Sequence, residues 1–209
     1  MESMEALHLA ELLCSRICHD LSGPVGAAAA GAELIAELGG GEDGETLELV
    51  SSSASAASAR LAYLRAAFGY ATQPQRSQVL RTLIEKYFGS LTQGALSPLA
   101  LEWRITEAEL TADASRLMLN LVMTARDALP RGGVVVVDGS RTNNLWNINV
   151  IARGEGVKLA EEAHDVLVDG ATATGPRGAQ ALLLKILSAR LGISILTHIE
   201  ESSIKLTVG

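Results

Sequence analysis

The chain has 209 residues and a formal net charge of -7 at pH 7, with 48% hydrophobic, 20% charged and 3% aromatic residues. This balance is typical of a globular protein with an aliphatic core, and the acidic charge argues against a nucleic-acid partner, because binding to phosphates requires basic patches. No apolar run approaches the roughly 18 residues of a membrane span. The acidic start MESMEALHLAELL is unlike a secretory signal. We therefore expect a cytoplasmic protein with no membrane contact.

The first predicted element is a helix over residues 4–38. Apolar residues recur in it at steps of three and four, which predicts one buried face. This face consists of Cys14, Ile17, Leu21, Val25, Ala28, Ala32 and Ile35. Cys14 and Cys18, the two cysteines of the chain, are one helical turn apart, a spacing that disfavours a mutual disulfide. We expect reduced thiols that act as small core residues rather than a metal site, which would need further ligands.

A glycine-rich turn, GGGEDG at residues 39–44, separates this helix from a second one predicted over residues 45–71. The apolar positions of the second helix follow the heptad spacing of a coiled-coil seam. They are Leu47, Val50, Ala54, Ala57, Leu61, Leu64 and Phe68. Folding back at the turn brings small residues 27–30 alongside residues 53–56, so the two backbones approach closely. A lone hairpin buries little surface, so we expect a homodimer with a four-helix bundle; the alternative is that the rest of the chain covers the seam.

In the remainder of the chain, the order of predicted helices and strands indicates an α/β sandwich. The polar segment ATQPQRS divides the chain into a helical hairpin domain, residues 1–73, and an α/β sandwich domain, residues 74–209. The predicted elements of the second domain are a helix over residues 79–88, the strand LALEWRI, a helix over residues 113–129, a hairpin of GGVVVVDG and LWNINVIA, a helix-rich stretch, a helix over residues 179–191, and the strands ISILTHI and SIKLTVG.

His19 on the first helix is the strongest candidate for chemistry. It lies about 200° around the helix from Ile17 and Leu21, which predicts an exposed imidazole. A proline such as Pro24 lowers the stability of a regular helix by about 3 kcal/mol. Such a destabilising residue close to a histidine indicates a functional site. Four residues are predicted to share the face of His19 and to leave room for a partner protein: Arg16, Ser22, Gly23 and Gly26. The other histidines, His8, His164 and His198, are interpreted as solvated surface residues.

The motif HDLSGP, residues 19–24, resembles the phosphoacceptor helix of histidine kinases, and the order of hairpin and sandwich resembles their dimerisation and ATP-binding domains. NLVMTARDAL, IARGEG and TGPRGAQALLLKILSARLG resemble the magnesium-ATP helix, the adenine-reading strand end, and the lid with its following helix. The matching residues are Asn120, Gly154, Gly156, Gly175 and Gly178. However, Thr124 stands where the metal-binding asparagine belongs and Ala152 where the adenine-reading aspartate belongs, and the lid, which contains Pro176 and Arg177, is shortened. These losses remove adenine selection and phosphate neutralisation.

This pattern is similar to the ChpT-type histidine phosphotransferases of alphaproteobacteria, with a degenerate ATPase-like sandwich, and the resemblance covers essentially the whole chain. It implies a carrier of phosphoryl groups between receiver domains in a cell-cycle phosphorelay. It further implies a hybrid kinase of the CckA type as donor and response regulators such as CtrA and CpdR as acceptors. His19 is then the phosphoacceptor and Asp20 its adjacent acid. We expect no cofactor on this chain, because the Mg²⁺ would belong to the receiver.

In the expected mechanism, the neutral imidazole of His19 attacks a receiver phosphoaspartate while Asp20 orients the ring or steadies its charge. A neutral fraction is available near pH 7, because the ordinary pKa of histidine is about 6.5. Two other classes of function stay open. One is a histidine kinase with a divergent ATP site, which nucleotide binding would reveal. The other is a non-catalytic dimeric adaptor in which His19 is incidental.

Overall fold

The computed structural model describes residues 2–37, 44–92, 98–143 and 145–209. Its helices are α1 (Glu2–Glu37), α2 (Gly44–Phe68), α3 (Ser77–Leu91), α4 (Ala112–Asp127), α5 (Glu161–Leu167) and α6 (Pro176–Arg190). Its strands are β1 (Gln75–Arg76), β2 (Leu99–Ile105), β3 (Glu109–Leu110), β4 (Gly133–Thr142), β5 (Leu145–Arg153), β6 (Ile195–Ile199) and β7 (Ser203–Val208). The predicted order of two long helices followed by an α/β region is therefore confirmed.

Helices α1 and α2 pack against each other through small residues. Gly31 of α1 faces Val50 of α2 so closely that a methyl group added at Gly31 would lie 2.6 Å from Cγ2 of Val50. Nearer the other end of α2, Nη1 of Arg60 donates to the carbonyl oxygen of Asp20 in α1 at 3.0 Å. These two contacts agree with the predicted antiparallel alignment of the helices. The predicted glycine turn at residues 39–43 lies outside the described residues.

The face of α1 that packs inward agrees only in part with the predicted stripe of apolar residues. Four residues of the stripe are half-buried, namely Ile17, Leu21, Ala28 and Ile35, and the first two pack against the core. Cys14, Val25 and Ala32 of the stripe are exposed, whereas Arg16, Pro24 and Gly31 are buried. This part of the prediction was wrong because it counted apolar side chains, whereas small size and ion pairing decide which residues of α1 fit against its neighbours. Cys14 and Cys18 are free thiols at exposed positions, so their predicted place in the core is also wrong.

The heptad positions of α2 divide into an exposed set and a covered set. Leu47, Ala54 and Leu61 are exposed, Val50, Ala57 and Phe68 are half-buried, and Leu64 is buried. Leu64 therefore belongs to the core of the chain itself, as the alternative of an intramolecular cover predicts. The exposed positions are seven residues apart and form one continuous line along α2.

The main sheet has the strand order β2-β4-β5-β7-β6. β2 runs parallel to β4, and the other neighbouring strands pair antiparallel, including the predicted hairpin of β4 and β5. Alternate side chains of β5 and β7 are buried, which is the pattern of a sheet with one face packed against helices. The separate pair of β1 and β3 was not predicted, because two residues per strand leave no periodic signal.

The C-terminal part of α2 shares its core with α3 and α4. The ring of Tyr63 stacks on Tyr87 with 4.0 Å between centroids, and its hydroxyl donates to the carbonyl oxygen of Leu119 at 2.7 Å. Burial raises the pKa of both tyrosines.

The predicted domain boundary at residue 73 stays a prediction. Within the ranges that the structure describes, none of the helices combines the length and the apolar character needed to cross a bilayer.

Candidate functional site

His19 lies near the middle of α1, and 83% of its side chain is exposed to solvent. The predicted exposure of the imidazole is therefore confirmed. Nδ1 of the ring lies 3.1 Å from Oδ1 of Asp20, a contact that the sequence left open because adjacent helical residues point in different directions. A carboxylate only accepts hydrogen bonds, so Nδ1 carries the proton in this contact, and the neutral ring keeps its lone pair on Nε2.

Asp20 is held in place by Arg16, one turn earlier on α1. Nε of Arg16 donates to Oδ2 of Asp20 at 2.9 Å, and Nη2 of Arg16 lies 2.7 Å from Oδ2 of Asp127 at the end of α4. Burial on its own lowers the pKa of the guanidinium, but the charges of Asp127 and Asp20 outweigh it and raise the pKa above its ordinary value. The side chain of Arg16 is only 5% exposed. Arg16 is therefore buried beside His19 rather than exposed, because its guanidinium turns inward to two carboxylates, and its predicted part in partner binding stays a prediction.

Pro24 creates a second point of attachment for Asp20. Because proline has no backbone N–H, the carbonyl group of Asp20, four residues earlier, lacks its usual donor within the helix. Nη1 of Arg60 in α2 donates to this carbonyl oxygen at 3.0 Å, and Nη2 of Arg60 donates to the carbonyl oxygen of Ser90 in α3 at 2.8 Å. Asp20 is thus fixed by its side chain through Arg16 and by its backbone through Arg60.

A cleft of about 800 Å³ lies beside His19, between α1 and the start of α6. Its charged lining consists of Arg16, Asp20, Arg60, Arg126, Glu162 and Arg177. Asp127 lies behind this lining and pairs with three of its four arginines, so the arginines exceed the nearby carboxylates by one positive charge, although the whole chain is acidic. Ser22 and Gly23 also line the cleft. Gly26 is exposed but is not part of the lining. Apart from its chain neighbours and the backbone of its own helix, a Cβ added at Gly23 or Gly26 would meet no described heavy atom within 4 Å, so there is room beside the imidazole, as predicted.

The residues that resemble an ATP site are packed against one another. Asn120 is fully buried, and its Nδ2 donates to the carbonyl oxygens of Ala67 at 2.9 Å and Arg116 at 2.8 Å. The hydroxyl of Thr124 donates to the carbonyl oxygen of Asn120 at 3.0 Å, and Nε2 of Gln180 donates to that same oxygen at 3.1 Å. The space enclosed by Thr124, Gln180 and their described neighbours on α4, α5 and α6 has no room for a water molecule.

The N-terminus of α6 is occupied by a carboxylate of the chain itself. Oε2 of Glu162 in α5 accepts hydrogen bonds from the backbone N–H groups of Arg177 at 2.9 Å and Gly178 at 3.2 Å. A helix N-terminus attracts anions such as phosphate, because its free N–H groups carry partial positive charge. A Cβ at Gly175 would clash with this carboxyl group. Sequence reasoning missed Glu162; the signal was a helix start at Gly175 without a capping side chain of its own.

The segment that resembles an adenine-reading strand end lies at the end of β5. Ala152 is fully buried in β5, where it pairs with Val135 on one side and Ile204 on the other. Among the described residues, one group has the side chains of a metal site, namely His164, Asp165 and Asp169. Nδ1 of His164 lies 3.2 Å from Oδ2 of Asp169.

Comparison with known proteins gives three matches that agree with one another. Residues 80–203 match the family model of the histidine phosphotransferase C-terminal domain. The chain is 36% identical over 157 residues to the protein phosphotransferase ChpT of Brucella abortus (strain 2308), a match that covers 72% of this chain and 71% of that protein. Its structure is similar to a 1.7 Å structure of a bacterial phosphotransferase, with a TM-score of 0.83, 28% identity, and coverage of 98% of this chain and 97% of that one. The structural similarity therefore extends over the helical hairpin and the α/β region alike.

Proposed function

The chain belongs to the histidine phosphotransferase family, and from this premise we propose that His19 carries the phosphoryl group between the aspartates of two receiver domains. The observation that carries the proposal is the geometry of His19 at the cleft. Its imidazole is exposed, and the contact between its Nδ1 and Asp20 leaves the lone pair on Nε2 for attack.

In the proposed reaction, Nε2 of His19 attacks the phosphorus atom of an aspartyl phosphate on the donor receiver. The bond from phosphorus to the aspartate oxygen breaks, the bond from phosphorus to Nε2 forms, and the receiver's carboxylate leaves with its electron pair. The proton on Nδ1 stays on the ring, and Asp20 steadies the positive charge that develops there. Attack by the aspartate of a second receiver reverses these steps, and the Mg²⁺ that neutralises the phosphoryl oxygens belongs to the receiver.

Receiver domains are the proposed partners, and the charge of the cleft supports this choice. Aspartyl phosphate is anionic, whereas Arg126 and Arg177, which line the cleft with His19, keep partly exposed guanidinium groups although each also lies near Asp127. Complementary charges of this kind raise the rate of encounter and fix the orientation of docking. Following the family resemblance, we propose a CckA-like hybrid kinase as the donor and CtrA-like and CpdR-like regulators as acceptors. Ser22, Gly23 and Gly26 would lie at the contact with these partners.

We also propose that the chain neither binds ATP nor phosphorylates itself. Three observations support this proposal. Thr124 replaces the amide that would bind the metal ion, Ala152 replaces the acid that would read adenine, and Glu162 occupies the helix N-terminus where phosphates would bind. Without selection of the base and neutralisation of the phosphates, a nucleotide site loses the main sources of its affinity and catalysis.

A homodimer is proposed for the hairpin, as the heptad spacing predicts. The line of Leu47, Ala54 and Leu61 on α2 is exposed, and Val25 on α1 is 53% exposed. Contiguous exposed apolar residues on a helix mark an interface. In a dimer, these residues would line a four-helix bundle, whereas Leu64 would remain in the core of each chain. Light scattering should give the mass of two chains.

The decisive experiment mixes this protein with a phosphorylated receiver domain and measures acid-labile, base-stable phosphate on the chain. The wild-type protein should take up the phosphate, and His19→Ala should take up none, because that variant lacks the nucleophile. His8→Ala is the matched control, since it removes another exposed histidine from the same helix and should leave the transfer unchanged.

Other outcomes of this experiment separate the competing functions. Receiver binding without any transfer of phosphate would indicate the adaptor. Labelling of the chain from ATP would indicate a kinase. Normal transfer to His19→Ala would place the phosphoacceptor elsewhere and overturn the proposal.

A further inference from the structure

Asp127, at the C-terminal end of α4, is a buried carboxylate with cationic partners from three helices. Its side chain is 4% exposed, and its oxygens lie 2.7 Å from Nη2 of Arg16 in α1, 2.9 Å from Nη1 of Arg126 in α4, and 3.6 Å from Nε of Arg177 in α6. A buried ion pair is a poor source of stability, because the cost of removing water offsets the attraction between the charges. Its geometry therefore calls for another explanation.

The contacts of Asp127 continue in series to the imidazole. Oδ2 of Asp127 binds Nη2 of Arg16, Nε of Arg16 donates to Oδ2 of Asp20 at 2.9 Å, and Oδ1 of Asp20 lies 3.1 Å from Nδ1 of His19. The guanidinium group is planar and presents its donors in a fixed arrangement. With one edge on Asp127 and Nε on Asp20, Arg16 therefore fixes the rotation of the Asp20 carboxylate.

This fixation matters because Asp20 is a poor partner for His19 by helix geometry alone. Side chains at adjacent helical positions do not face each other, so an unsupported Asp20 would spend much of its time in other rotamers. A neutral histidine carries its proton on one of two ring nitrogens. A hydrogen-bond acceptor next to one nitrogen holds the proton on that nitrogen. Support for Asp20 from outside α1 therefore keeps the proton on Nδ1 and the lone pair on Nε2.

We infer that Asp127 is a positioning residue for phosphotransfer, which acts on His19 through Arg16 and Asp20. The inference rests on the proposed function of His19 and assigns a role to the α/β region. Helix α4, which resembles the magnesium-ATP helix of histidine kinases, orients the phosphoacceptor from across the interface with α1. In this role Asp127 touches neither the phosphoryl group nor the receiver.

Asp127→Asn tests this role, because it keeps the size of the side chain and removes its charge. We expect the rate of transfer at saturating phosphorylated receiver to fall by about tenfold to a hundredfold, by analogy with residues that orient metal-binding histidines. The affinity for the receiver should stay within about twofold of the wild type. Asp113→Asn is the matched control, since Asp113 lies at the other end of α4 and its carboxylate is 3.8 Å from Arg116; it should transfer at the wild-type rate.

A second measurement reports on the ring directly. With ¹⁵N-labelled histidine, at a pH high enough to keep the ring neutral and without any receiver, the wild-type spectrum should show the proton of His19 mainly on Nδ1. In Asp127→Asn the fraction with the proton on Nε2 should rise. This result does not depend on phosphate, so failure of His19 to accept phosphate would overturn the proposed function while leaving the positioning role measurable.

Asp127→Asn leaves Arg16 with one carboxylate fewer in a buried place, and the variant could fail to fold. The double variant Arg16→Met with Asp127→Leu replaces both members of the buried pair with apolar residues of similar volume, a change that is often neutral for stability. The other two partners of Asp127, Arg126 and Arg177, are 31% and 52% exposed and can turn to solvent. The double variant should fold, bind the receiver, transfer slowly and show the altered ring signals. Wild-type transfer rates and unchanged ring signals in the folded double variant would overturn the inference.

Discussion

The middle of the hairpin and the interface of α4 with α6 both contain motifs that resemble parts of a histidine kinase, but they present their side chains in opposite ways. On α1 the imidazole of His19 is open to solvent beside a roomy cleft. Between α4 and α6, Asn120, Thr124 and Gln180 are buried and bonded to one another. A reacting group must be reached by its partner, whereas a group that only supports the fold is best enclosed. Under the proposed function, this difference places the chemistry in the hairpin and gives the α/β region a supporting role.

The most severe test of this difference introduces the asparagine and the aspartate that histidine kinases have in place of Thr124 and Ala152. We expect Thr124→Asn with Ala152→Asp to bind no magnesium-ATP in calorimetric titration. We also expect the free energy of unfolding to fall by more than about 3 kcal/mol, because the new carboxylate would be buried at Ala152 without a partner.

Arg153→Asp is the control for this variant. It places the same side chain one residue later on β5, at an exposed position, where the free energy of unfolding should change much less. Micromolar binding of ATP by the Thr124→Asn, Ala152→Asp protein would mean that the site is latent rather than closed, and the comparison would fail.

A substitution on the exposed line of α2 tests whether the hairpin surface is an interface. Leu61→Glu should weaken the proposed homodimer by about a hundredfold, equivalent to about 2.7 kcal/mol, because two charged groups would enter the apolar seam. Light scattering over a dilution series measures this change. Leu196→Glu, which alters a comparably exposed leucine on β6, should leave the dimer intact. If the dimers of both variants dissociated equally, α2 would not be part of the interface.

The smallest expected effect concerns the carbonyl group that Pro24 leaves without a helical donor. Arg60→Ala removes the guanidinium group that donates to it and to Ser90, so the free energy of unfolding should fall by about 2 kcal/mol. Pro24→Ala restores a backbone N–H to α1 and should recover about 1 kcal/mol of this loss in the Arg60→Ala background.

Chemical denaturation of the four proteins in this cycle gives the coupling between Pro24 and Arg60. Arg65→Ala, at an exposed position on the same helix, is the control and should show no coupling to Pro24→Ala. Strict additivity of Pro24→Ala and Arg60→Ala would show that Arg60 does not substitute for the missing donor.

The helices and strands of the main sheet could be predicted because their signals are periodic and local. The exposure of His19 followed from its angle around α1 in the same way. The inward turn of Arg16 could not be predicted, because it depends on Asp127, which is far away in the chain and is brought near by the fold. The capping of α6 by Glu162 has the same cause. Spacing reveals which residues share a helix face, but not which distant charge lies opposite that face.

The carboxylate of Glu162 at the start of α6 has a consequence for signalling. Because Glu162 is part of the chain, its carboxylate is present at a high and constant effective concentration at the start of α6. The concentration of a nucleotide, in contrast, varies with the state of the cell. If the chain binds no ATP, as proposed, this site would not respond to the ratio of ATP to ADP in the cell. Under the proposed function, the phosphate content of the chain would therefore follow the balance of its receiver domains alone, whatever the energy status of the cell.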